Sequence, residues 1–283
     1  HPVILSAQWI PLFALSFIQL LRTARWRDGL LAAAFFLLNA LTSWHLMIFA
    51  ILWGMSYVTY AVLLDRDRLG SRWIVALGVF GVGTALVMSP LLYPLVREQF
   101  TVDSPFMAVP ADVGGKGNDL IAFFVPAMGH PVWSRFLTPV YDRLGYTVGR
   151  LQRPTGYIGY TILALSACGV LIQWRKARFW LYSSLIFGAL SLNSCLSIAG
   201  RVYENVRMPW NGPVIGVLRH PYRFSLMLSF SLAVLVGLGW SAIEKRLEGR
   251  HRSLFFALLA TALILFESLV LPWTITPLDV SPF

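Results

Sequence analysis

Arg219, His220 and Arg223 surround Pro221 at the head of an apolar run that continues over 224–243. Proline is favoured in the first turn of a helix, where its missing N–H has no partner to lose. The pattern predicts a helix N-terminus whose free N–H groups and partial positive charge lie beside these three side chains. Arg219 and Arg223 stand four apart, so on a helix they share a face, and guanidinium groups grip phosphate oxygens in pairs. The chemistry on offer is an anion site for a lipid phosphate or pyrophosphate. The competing reading is that these arginines snorkel to bulk headgroups.

A second set lies upstream. Asn118 and Asp119 precede the short apolar stretch 120–126, which reads as an interfacial or re-entrant helix too short to span a bilayer. That helix would hold Asp119 at the membrane surface, where a carboxylate can act as a base or orient a sugar hydroxyl. The plainer reading is that Asp119 supports the helix N-terminus. His130, ahead of Pro131, is a further polar candidate, as is Glu267, the single carboxylate within the apolar runs. An ionisable group inside such a run is a site candidate by default, and a structural ion pair with Arg219 or Arg223 is its simpler role.

Other patterns carry less. Gly114-Gly115-Lys116-Gly117 lacks the rest of a phosphate loop and reads as a turn, while Asp65 and Asp67 form a DxD inside a basic, solvated loop. No metal-ligand spacing, HExxH, GxSxG or dinucleotide fingerprint occurs. Cys168 and Cys195 both fall inside apolar runs and read as packing residues. No cofactor is expected, and dependence on a divalent metal is left open.

The elements that must position these residues are membrane helices. The runs 3–21, 29–64, 73–96, 154–174, 179–200, 224–243 and 253–272 contain Glu267 and no other charged residue. About 18 apolar residues suffice to cross the ~30 Å hydrocarbon core. The chain is 57% hydrophobic and 13% charged, where a soluble domain carries about a quarter charged residues. Of its 23 Lys and Arg, 13 sit in the loops 22–28, 65–72, 175–178 and 244–252. Such clusters mark the cytoplasmic side, so the formal charge of +10 reports topology and argues against a nucleic-acid partner. The run 29–64 then crosses twice, as helices near 29–42 and 46–64 with an outer turn from Thr42 to His45; Gln8 and His45 face outward.

The expected fold is all-α: a polytopic bundle of about eight spans forming a single transmembrane domain over 1–283. It would lie in the cytoplasmic (inner) membrane, with 97–155 as an extracytoplasmic loop containing short interfacial helices and any site facing outward. Helix one would then start outside. The chain is therefore expected to be an internal piece of a longer protein, truncated at both ends and lacking at least one upstream helix.

Four stretches, 7–12, 41–45, 119–131 and 218–239, give the chain a resemblance to the glycosyltransferase-C superfamily, and within it to YfhO-type and dolichyl-phosphate-mannose-transferase-like proteins. The resemblance implies transfer of a sugar from a polyprenyl-phosphate donor to an acceptor outside the cytoplasm. It also implies outer arginines on the donor phosphate, the place held here by Arg219, His220 and Arg223, and Asp119 as a secondary candidate for positioning the acceptor. The principal acid of such enzymes would lie ahead of His1, and Gln152-Arg153-Pro154-Thr155 stands where a further acid is expected. Expected partners are the lipid bilayer, a polyprenyl-phosphate-linked sugar and a glycan, lipid or protein acceptor. Two other classes fit the pattern: a transporter or flippase of lipid-linked saccharide, and a non-catalytic membrane assembly subunit.

Overall fold

The computed structural model describes residues 7–99, 117–126, 129–143, 156–192, 195–208, 221–247 and 249–270. Among them are nine α-helices: α1 (Trp9–Thr23), α2 (Trp26–Thr42), α3 (Trp44–Leu64), α4 (Trp73–Gln99), α5 (Trp133–Arg143), α6 (Tyr160–Ile172), α7 (Trp174–Leu190), α8 (Ser225–Glu244) and α9 (Arg250–Glu267). Six open on tryptophan. An amphipathic indole is favoured where a helix leaves hydrocarbon for headgroups, so this placement suits membrane-boundary ends.

Among the described residues, three stretches are long and apolar enough to cross a membrane: Trp44–Leu64, Trp73–Pro94 and Pro221–Glu244. Tyr160–Ile172 and Trp9–Thr23 are apolar but short. At 1.5 Å per residue, 15 residues reach only about 22 Å. Eight of the nine helices, all but α5, overlie the expected apolar runs, but length and hydropathy among the described residues support three spans where eight were expected.

Contacts divide the chain into two compact units. The first holds α1–α4 together with Leu226–Phe230. α1 packs along α2, and α4 lies against both. Their buried faces are aromatic, with Phe13 and Phe17 centroids 5.3 Å apart and Phe17 and Phe80 5.5 Å apart. Ala24, with φ of 50°, turns the chain between α1 and α2. Ser43 is the single residue between α2 and α3, and its Oγ accepts the His45 N–H at 3.3 Å. This is the expected hairpin, with a turn tighter than four residues.

The second unit contains α5, α6, α7, α9, the rest of α8 and a two-stranded antiparallel hairpin, β1 (Cys195–Ile198) and β2 (Arg201–Arg207). α6 and α8 cross with their backbones in contact. A Cβ on Gly169 would lie 2.5 Å from the Leu235 carbonyl oxygen, and one on Gly239 would overlap the Leu165 carbonyl. Small residues allow this close approach between membrane helices. Gln173 Nε2 donates to the Leu238 carbonyl at 2.7 Å beside the crossing, and the Ser183 and Ser231 hydroxyls meet at 2.8 Å.

Several expectations need correction. The basic residues Arg175, Lys176 and Arg178 lie in the first turns of α7, and Gln173 alone separates α6 from α7. The apolar run 179–200, expected as one membrane helix, is helical only as far as Leu190, and Cys195–Ile198 near its end forms β1. Ala199 and Gly200, with φ of 52° and 77°, make the left-handed turn that reverses the chain into β2. The predicted re-entrant helix over 120–126 is one 3-10 turn, Ile121–Phe123. The loop's α-helix is α5, further along, where Tyr141, Leu137 and Val140 pack on Ala122 and Val125. The fold is helical in class, with the hairpin as its one sheet among the described residues.

Candidate functional site

Asp119 is 9% exposed, and both its carboxylate oxygens are occupied. Oδ1 accepts the Ile121 N–H at 2.9 Å and the Ala199 N–H at 3.0 Å. Oδ2 accepts the Gly200 N–H at 2.9 Å and the Ser197 hydroxyl at 2.6 Å. The first of these bonds is an Asx turn, which starts the 3-10 turn. The others clamp the β1–β2 turn, whose strained Ala199 and inward N–H groups need an acceptor. The Leu120 N–H adds a backbone bond to the Ser197 carbonyl at 2.9 Å. Sequence reasoning allowed Asp119 a role at the helix start; its donors from the hairpin, about 80 residues downstream, were out of reach of any local pattern.

Asn118, 2% exposed, ties this clamp to the head of α8. Its Nδ2 donates to Ser225 Oγ at 2.8 Å, and its N–H donates to the Ser191 carbonyl at 2.9 Å. Its Oδ1 is buried without a hydrogen-bond partner among the described residues. Arg223 stands two residues before Ser225, in the 3-10 turn Pro221–Phe224 that leads into α8. The segment of the candidate acid and the segment of the candidate anion site are thus joined side chain to side chain. Arg219 and His220 lie outside the described residues.

His130 is fully buried. Its Nδ1 faces the backbone N–H groups of Val132 and Trp133 at 3.2 Å each, and its Nε2 lies 2.9 Å from the Phe266 carbonyl. The two N–H groups require Nδ1 to accept, so Nε2 carries the proton and donates to Phe266. The ring caps α5 and fastens the loop to the end of α9.

Glu267, next along α9, accepts the Thr161 N–H through both oxygens at 3.1 and 3.2 Å and the Thr161 hydroxyl at 3.1 Å. Residue 159, at the N-cap of α6, is glycine and offers no capping side chain. A Cβ there would sit 2.9 Å from Glu267 Oε2. Glu267 therefore caps α6 from 106 residues away and sets its charge against the positive helix end. Beside it, the Tyr157 hydroxyl is buried. Burial first, and then the Glu267 charge, push this phenol from 10.0 up to about 12.

The strap 156–161 runs from the segment that follows Asp119 to Glu267. Gly156 packs against Asn118, and a Cβ there would come within 3.0 Å of the amide carbon. The Ile158 N–H donates to the Phe123 carbonyl at 3.0 Å, the Tyr160 hydroxyl donates to the Phe124 carbonyl at 2.7 Å, and Thr161 reaches Glu267. Asp119, Arg223, His130 and Glu267 thus belong to one connected rim, although no two of them bond directly in the geometry above. Asn118 and the strap were not singled out as site residues. The orphaned amide oxygen is visible only once packing is known.

No cluster of three or more metal-ligating side chains occurs among the described residues. Compared with protein-family models, with curated proteins and with solved structures, the chain matches none.

Proposed function

We propose that this chain is an eight-span protein of the cytoplasmic membrane whose outer rim binds the phosphate of a polyprenyl-linked sugar and presents the sugar for transfer to an extracytoplasmic acceptor. The observation that carries the reading is the Asn118–Ser225 bond, which brings the Asp119 segment to the helix end beside Arg223. Arg223, with Arg219 and His220, holds the donor phosphate at the N-terminus of α8. As the anomeric C–O bond breaks, negative charge grows on the leaving phosphate, and positive groups fixed in advance stabilise it. Asp119 serves this site by position: its carboxylate holds the hairpin in place. His130 and Glu267 shape the rim by fastening the loop and α6 to the end of α9.

One observation favours a second reading, a non-catalytic membrane assembly subunit. Both described candidate acids, Asp119 and Glu267, hold structural hydrogen bonds.

The test is polyprenyl-phosphate binding to the protein in lipid nanodiscs, with Arg219→Ala and Arg223→Ala beside wild type. The proposal expects each change to weaken binding about tenfold or more, as for loss of a charge-assisted contact. Wild-type affinity in both variants would remove the donor site. Donor binding without sugar transfer to any acceptor would leave the second reading.

A further inference from the structure

The loop joining α3 to α4 docks on the last turn of α1, where the chain enters the basic segment 22–28. The Gly70 N–H donates to the Leu21 carbonyl at 2.9 Å, and a Cβ on Gly70 would overlap the Arg22 carbonyl oxygen. This contact gathers two basic loops at one end of the first unit. Together they carry Arg22, Arg25, Arg27, Arg66, Arg68 and Arg72 against Asp28, Asp65 and Asp67. Asp28 accepts the Thr23 hydroxyl, and Asp65 accepts the Tyr60 phenol at 3.4 Å. Arg22, Arg25, Arg27, Arg66 and Arg72 are exposed. Trp26, 71% exposed, lies beneath the Arg27 guanidinium, 5.6 Å from the ring centroid.

Between α3 and α4, the two helices joined by one of these loops, lies a cavity of about 570 Å³ backed by Phe13, Phe17 and Phe36. Thr59 and Thr84 are the only polar side chains among its described lining residues, and Thr84 Oγ1 is already bonded to the Phe80 carbonyl at 2.7 Å. No described atom lies within 4 Å of a Cβ placed on Gly81, and Met55 at the rim is 61% exposed. A lining of this kind holds hydrocarbon and offers a polar ligand little. Along α4 it runs from Leu77 to Leu92, about 22 Å at 1.5 Å per residue. One leaflet of a ~30 Å core is about 15 Å deep. Leu77 stands five residues from Arg72, roughly 7 Å along the helix axis.

We propose that this is a binding site for one anionic phospholipid, with an acyl chain in the α3–α4 cavity and the headgroup phosphate on Arg66 and Arg72. Charge decides the headgroup: six arginines face three aspartates, and basic clusters at the ends of membrane helices attract anionic lipid. The apolar cavity beside them decides the chain. In the orientation set by the basic loops, this lipid belongs to the cytoplasmic leaflet, and the inference does not rest on the sugar-transfer reading.

Native mass spectrometry of the protein released from nanodiscs of equal phosphatidylglycerol and phosphatidylethanolamine tests it. Wild type should retain one phosphatidylglycerol in preference. Arg66→Gln with Arg72→Gln, on exposed positions, should cut that preference roughly twentyfold. Gly81→Phe should displace the bound lipid by filling the cavity, while Arg175→Gln with Lys176→Gln on α7 should change nothing. Equal retention of both lipids by wild type would overturn the site. So would phosphatidylglycerol held undiminished by the Arg66/Arg72 variant, or an equal loss in the α7 control. Retention in a folded Gly81→Phe protein would overturn the chain-in-cavity assignment.

Discussion

Gly169 and Gly239 let the backbones of α6 and α8 touch, and neither position has room for a methyl group. Gly239→Ala should therefore force the helices apart and cost about 1–3 kcal/mol, the range for overpacking a tight contact. Among the described residues, nothing lies within 4 Å of a Cβ on Gly237 of the same helix, so Gly237→Ala should be close to neutral. Thermal unfolding in detergent separates the two. Equal effects would mean that the crossing is not packed as described.

Asp119 predicts a local effect before a global one. Asp119→Asn keeps the shape but turns a charged acceptor into a neutral amide with donors of its own. Loss of one or two charge-assisted bonds should cost about 2–4 kcal/mol. Hydrogen exchange should speed first at the Ala199 and Gly200 amides, which the carboxylate holds. Unchanged protection there would contradict the clamp.

Glu267 replaces the cap that Gly159 cannot supply. Glu267→Ala should cost about 1 kcal/mol, as for a lost N-cap, and the loss should appear as fraying of the first turn of α6. Glu267→Gln should retain part of the hydrogen bonding. Amide exchange at Thr161 and Ile162 reads the difference.

Tyr157 adds a pH dependence. Its phenol is held protonated up to about 12, against 10.0 in the unfolded chain. Between those values the folded state binds the extra proton. The contribution is therefore fully present below pH 10 and is lost as pH rises toward 12. The difference in phenolate absorbance between wild type and Tyr157→Phe should titrate above the ordinary tyrosine range. Glu267→Gln should bring that titration down.

Charge and hydropathy made most helix ends legible, because a bilayer rejects both charge and unpaired backbone. The breaks at Thr23–Trp26, Leu64–Trp73 and Glu244–Arg250 fall where basic residues interrupt apolar runs. The same rule misplaced Arg175–Arg178, since a basic residue in a helix's first turn looks like one in a loop. It also hid β1, because Cys195–Ile198 continues an apolar run and the reversal depends on left-handed Ala199 and Gly200. α5 escaped notice because Arg135, Asp142 and Arg143 break up its apolar positions. The candidate polar residues were legible as polar and out of place. Their partners were not, since Asp119, His130 and Glu267 each bond to groups about 80 to 136 residues distant.

The outward-facing rim is the central claim, and side-specific cysteine labelling tests it most directly. In a Cys168→Ala, Cys195→Ala background, Glu204→Cys on exposed β2 and Asp67→Cys in the exposed α3–α4 loop each provide one reactive thiol. The account predicts that a membrane-impermeant maleimide added to intact cells labels position 204, and that position 67 reacts only after permeabilisation. Labelling of both from the same side, or of position 67 alone from outside, would contradict it.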